Sequence, residues 1–168
     1  MLMLLLVVVG AAAQSDAPAW RQANEKELAK LLPARATVES ERIETELPTA
    51  SGVTDGKGKF IAGVVLITAG YSAEGKYAQF FVTNVPIRIG ELSLSPGEYV
   101  FGHRRIDEDS LEVKFYQAAS GKYLGAVKAV RQSKTGPVRS LLITPPGSAK
   151  PMIQIGRFGV GYRLDKQE

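Results

Sequence analysis

Glu98-Tyr99-Val100-Phe101-Gly102-His103-Arg104-Arg105-Ile106, then Asp107-Glu108-Asp109-Ser110, then Leu111-Glu112-Val113-Lys114-Phe115-Tyr116-Gln117-Ala118, is the stretch whose reading decides the fold. Apolar and polar residues alternate in both arms, and a polar tetrapeptide separates them. That pattern predicts an antiparallel hairpin, because successive side chains of a strand point to opposite faces. The register decides which residues share a face. With an even-numbered loop, His103 faces Lys114, Arg105 faces Glu112 and Phe101 faces Tyr116. With a three-residue loop and a bulge, Tyr99, Phe101 and His103 join Val113 and Phe115 inside, and Arg104 pairs with Glu112 outside. The second register separates apolar from polar more cleanly and is the expected one.

The same texture extends in both directions. Strands are expected at residues 60–68, 77–83, 87–94, 98–106, 111–118, 122–131 and 138–144, with a last pair at 152–155 and 158–164. Turn chemistry such as Ser95-Pro96-Gly97 and Pro145-Pro146-Gly147-Ser148 separates them. Nearly every connection is short, which favours antiparallel pairing. Residues 59–168 are therefore expected to form a mainly β domain, an antiparallel β-sandwich or a partly open barrel. Gly58-Lys59-Phe60, Gly75-Lys76-Tyr77 and Gly121-Lys122-Tyr123 repeat one turn recipe: glycine for the left-handed position, lysine at the strand start and an aromatic turned inward.

Towards the N-terminus the period changes. Residues 14–33 are expected to be one amphipathic helix, started by Asp16 and Pro18 and stopped by Pro33. Its apolar stripe is Trp20, Ala23, Leu28, Leu31 and Leu32. Residues 34–58 are expected to be an edge strand and a linker. The strand, 37–47, carries Glu39, Glu41, Glu44 and Glu46, and 48–58 is rich in turn formers. Residues 1–13 have the form of a signal peptide: the apolar run Leu2 to Val9 is followed by Ala11-Ala12-Ala13, with Gln14 as the first mature residue. No basic residue precedes the run, and it is shorter than the about 20 residues a membrane helix needs. A secreted or periplasmic protein without a transmembrane span is the expectation.

The chain of 168 residues is ample for a core, and its 45% hydrophobic and 23% charged residues are those of a folded protein. It has no cysteine, which excludes disulfides, thiolate metal sites and a cysteine nucleophile. A single histidine excludes a multi-histidine metal centre. The net charge of +4 is scattered rather than striped, so no nucleic-acid partner is expected. No Walker loop, dinucleotide fingerprint, G-x-S-x-G elbow or H-E-x-x-H is present, and no cofactor or metal is expected. Gly156-Arg157-Phe158-Gly159-Val160-Gly161 lacks the helix and lysine-hydroxyl pair of a phosphate loop.

Four residues stand out as candidate binding groups. His103, Arg104 and Tyr116 share the central hairpin, and aromatic faces suit sugars while guanidinium suits carboxylate or phosphate. Arg157 sits among glycines that would expose backbone to a partner. The structural alternative is a half-buried histidine, a cross-strand charge pair and a twisted glycine edge.

Leu94-Ser95-Pro96-Gly97-Glu98-Tyr99-Val100-Phe101 resembles the turn-and-strand motif of secreted bacterial β-sandwiches. These include carboxypeptidase-regulatory and transthyretin-like domains and small exported domains of unknown function with an L-P-A-G-x-Y motif. The resemblance covers residues 87–118 and implies a non-catalytic accessory role. The expected function is an exported, non-enzymatic protein that binds a ligand or partner, such as a glycan or envelope component. Two alternatives remain: a small secreted hydrolase using Glu98 or Glu112 with His103, and a structural envelope protein associating through the 37–47 edge. The oligomeric state is not specified by the sequence.

Overall fold

The structure is a computed structural model and describes residues 19–133 and 135–165. The expected signal peptide and the expected helix start at Asp16 lie outside the described residues. From the first described residues the chain forms β1 (Arg21–Gln22), α1 (Glu25–Leu31), β2 (Arg35–Val38), β3 (Glu41–Thr54), β4 (Phe60–Leu66), α2 (Gly70–Ala73) and β5 (Gln79–Thr83). It continues through β6 (Ile87–Ile89), β7 (Leu92–Leu94), β8 (Gly97–Asp107), β9 (Ser110–Gln117), β10 (Tyr123–Arg131), β11 (Arg139–Ile143), β12 (Met152–Gly156) and β13 (Phe158–Leu164).

One antiparallel sheet runs in the order β1-β3-β4-β5-β8-β9-β10-β13-β12-β11. It curls until its two ends meet, and the Ile143 amide on β11 donates to Ser51 Oγ on β3 at 2.9 Å. The fold is thus mainly β, a sheet nearly closed into a barrel. Gly63 is central to the closure. A Cβ there would lie 2.9 Å from Leu141 Cδ2, so the missing side chain lets β11 settle against β4.

The central hairpin adopts the expected register. Phe101 pairs with Phe115, His103 with Val113 and Arg104 with Glu112, and the shift needed to close the turn falls between Arg105 and Asp107. Inward positions from all round the barrel form one core. Phe81, Phe101 and Phe115 pack together at its centre, with ring centroids 4.9–6.3 Å apart. Each of these fully buried rings stabilises the fold by about 1.5–3 kcal/mol.

A second core lies outside the wall. Val64, Leu66, Phe80 and Val100 point outward from β4, β5 and β8, and are covered by Leu28 and Leu32 near α1 and by Ala36, Val38 and Ile43 of the β2–β3 hairpin. These strands are therefore apolar on both faces, as the continuous run at 60–68 predicts. The hairpin tip is tied down by the Tyr77 hydroxyl, which donates to Glu39 Oε1 at 2.6 Å.

Several boundaries differ from the sequence reading. The helix spans only Glu25–Leu31. Asn24 caps it in a capping box with Glu27, while Arg21 and Gln22 pair with β3 instead. The reciprocal Asn24–Glu27 bonds make a stronger helix start than a lone upstream aspartate. Arg21 also grips Glu27 through two bonds of 2.7 and 2.9 Å, which holds that carboxyl down at about 2.

The 34–58 segment is no edge-and-linker. A turn at Glu39–Ser40 splits the expected 37–47 strand, and β3 then runs through Pro48 to Thr54 within the main sheet. Proline is tolerated there because the ladder is already irregular between Glu46 and Ser51. Thr49 Oγ1 takes over part of the lost pairing: it accepts from the Val65 amide and donates to the Glu46 carbonyl. Residues 87–94 form a tight hairpin, not one strand, because Gly90 turns at φ 55°. The glycines of all three Gly-Lys-aromatic fragments adopt positive φ, but of the three aromatics only Tyr77 is fully buried; Tyr123 is 53% exposed.

Candidate functional site

The barrel has two unlike ends. At one, β6 pairs with the last residues of β13, and Ile87, Ile89 and Leu94 fill the interior. At the other, a cavity of about 870 Å³ opens to solvent. It is bounded by the ends of β4, β5, β8, β10, β11 and the β12–β13 turn.

Its deepest polar groups come from strand alternation. Gln79 on β5 shares the inward phase of Phe81, and His103 on β8 shares that of Phe101. Gln79 pairs with Phe101 across the two strands, so Gln79 and His103 are diagonal neighbours, with Cα atoms about 7–8 Å apart. Gln79 is only 4% exposed, and neither its Oε1 nor His103 Nδ1 has a hydrogen-bond partner in the protein. Burial lowers the imidazole below its ordinary 6.5, so it is neutral at neutral pH. Each buried polar atom left unpaired costs about 1–3 kcal/mol, which a core selected for stability alone would avoid.

Arginines surround the opening. The Arg105 and Arg131 guanidinium carbons lie 5.3 and 4.9 Å from the centre of the same ring, Phe158. Arg131 is partly neutralised by Asp109 at 3.0 Å, and Arg157 donates to the Gly136 carbonyl at 3.0 Å. Among the described residues, neither Arg105 nor Arg157 has an ion-pair partner, and no carboxylate lines the cavity. Thr68, Ser72 and Ser140 add hydroxyls, and Val65, Leu111, Ile155 and Phe158 add apolar wall.

The four candidate residues fall into two places. His103 and Arg157 line the cavity. Arg104 and Tyr116 lie on the outside of the barrel, because even-numbered positions of β8 and β9 face outward. The two are not adjacent, since the Gly102–Lys114 pair separates them, placing them about 13 Å apart along the sheet. Arg104 instead reaches Glu112 at 3.4 Å. Tyr116 packs edge-on against Tyr77 and at a tilt against Tyr123, with centroids 5.3 and 5.6 Å away. The carboxylates weighed for hydrolysis are also outside. Glu112 binds Arg104 and Lys114, and Glu98 is exposed, so neither joins His103 in the cavity.

Sequence reasoning missed Gln79, Arg105 and Arg131. Gln79 carried a usable signal: it is the one polar residue in Ala78-Gln79-Phe80-Phe81-Val82, at the inward phase of a strand apolar on both faces. The arginines carried none, because their convergence depends on strands distant in sequence. No protein-family profile, curated protein or solved structure matches the chain. No helix among the described residues is long and apolar enough to cross a membrane.

Proposed function

We propose that the chain is an exported, non-enzymatic binding protein of the cell envelope or extracellular space, and that its ligand enters the open end of the barrel. The observation that carries this reading is the floor of the cavity, where Gln79 Oε1 and His103 Nδ1 are buried without partners. A ligand would supply the missing hydrogen bonds, and about 870 Å³ is a volume suited to a small molecule. Export rests on the apolar leader and the Ala-Ala-Ala sequence that follows it. The likeness of residues 87–118 to secreted accessory domains points the same way.

A binding screen of the mature protein against glycans and peptidoglycan fragments tests the reading, with Ser140→Trp and Tyr116→Ala beside it. Ser140 is exposed at the cavity wall, so tryptophan there narrows the opening with little demand on the core. Binding that is lost in Ser140→Trp and kept in Tyr116→Ala supports the cavity. The reverse pattern places the site on the outer face and overturns the proposal.

A further inference from the structure

Resting on the cavity reading, the geometry points to a class of ligand: we propose that the open end of the barrel takes a compact hydroxylated oxyanion, a sugar acid or sugar phosphate. Three observations converge on it.

The first is charge. Arg105 and Arg131 both lie over one Phe158 ring, Arg157 lines the same opening, and Asp109 answers only Arg131. Like charges gathered at a partly desolvated rim repel, and an oxyanion between them turns that repulsion into charge-assisted hydrogen bonds. Guanidinium forks match the planar edge of a carboxylate or the face of a phosphate.

The second is the deep pair. An oxygen acceptor, Gln79 Oε1, calls for a donor, and an anionic oxygen placed against it would be repelled. A hydroxyl donates to Gln79 and serves His103 Nδ1 in either tautomer, as donor or acceptor. The anionic group therefore belongs at the rim and the hydroxyls at the floor. A fatty acid entering tail first would leave both polar atoms buried and unpaired, and head first it would set a carboxylate against Gln79.

The third is wall composition. Val65, Leu111, Ile155 and Phe158 offer apolar surface to the C–H faces of a ring, while Thr68, Ser72 and Ser140 offer further hydroxyls. Such a mixture of apolar wall and a few placed polar groups suits a sugar-sized ligand.

The test is calorimetric titration of the mature protein at low salt with D-glucuronate, glucose 6-phosphate, glucose, decanoate and the neutral dye N-phenyl-1-naphthylamine. Glucuronate or glucose 6-phosphate is expected to bind, and whichever does tells carboxylate from phosphate. Glucose should bind at least tenfold more weakly. Arg105→Gln and Gln79→Leu should each weaken the anion at least tenfold, without lowering the melting temperature by more than a few degrees. If decanoate or the dye binds and neither sugar anion does, the cavity reading stands and the ligand class is wrong. Silence from all five probes overturns both. Anion binding that is indifferent to both substitutions, or equal for glucose and glucuronate, also overturns the inference.

Discussion

The two ends of the barrel bound one interior, yet they are finished in opposite ways. At the closed end the inward positions hold Ile87, Ile89, Leu94 and Tyr162, and the β6–β7 hairpin seals them from water. At the open end the corresponding positions hold Gln79, His103, Arg105 and Arg131. The first arrangement maximises buried apolar area. The second strands polar atoms and gathers positive charge, both of which cost stability. The difference shows where the fold is built for persistence and where it departs from that aim, and the departure marks the candidate site.

Mutations should reproduce that division. The largest effect is expected at the closed end. Ile87→Ala should lower the unfolding free energy by about 2–5 kcal/mol in urea titrations, since Ile87 is fully buried, and should leave ligand affinity unchanged. Gly102→Ala should follow, at about 1–3 kcal/mol, because its Cβ would clash with backbone. That Cβ would lie within 2.3 Å of the Lys76 carbonyl oxygen and 2.4 Å of that of Gly75. The segment that must move carries Ser72 to the open end, so here stability and affinity should fall together. Tyr77→Phe removes the bond to Glu39 and touches neither end; about 1 kcal/mol of stability should be lost, with affinity intact.

Gln79→Leu is the smallest effect and the sharpest contrast. It removes a buried unpaired amide oxygen, so stability should stay level or rise by about 1 kcal/mol while binding is lost. A loss of stability comparable to that of Ile87→Ala would mean the two ends are not different in kind.

Much of the fold was legible in local pattern. Alternation in the central hairpin located both strands and selected the register, because only one pairing kept Phe101 and Phe115 on the same face as each other. Both-sided burial of β4 followed from its unbroken apolar run. What was hidden depended on contacts between distant segments. Pro48 reads as a turn former, and only the bulge opposite β4 shows that a strand can pass through it. An apolar stripe that begins at Trp20 draws the expected helix start back to Asp16, but Trp20 packs against the barrel core and the helix starts at the Asn24–Glu27 box.

Of the candidate site, the sequence singles out His103 and Arg157, which both line the cavity, but not their meeting, since Arg157 arrives by way of the β12–β13 turn. Arg104 and Tyr116 belong to the outer face, where strand alternation from the same hairpin puts them. Once the register is fixed, His103 and Arg104 must point to opposite sides of the wall.

His103 is the chain's one histidine, so a single imidazole signal reports on the floor of the cavity. In the free protein burial holds its titration below 6.5. Stability is therefore full above 6.5 and declines as pH falls below it, because the unfolded chain takes up the proton first. The most direct test of the account is the imidazole resonance followed by NMR against pH, with and without saturating D-glucuronate or glucose 6-phosphate. The account predicts a midpoint below 6.5 in the free protein that rises when an anion is seated among the arginines. A midpoint at or above 6.5 in the free protein, or one that neither anion moves, would contradict it.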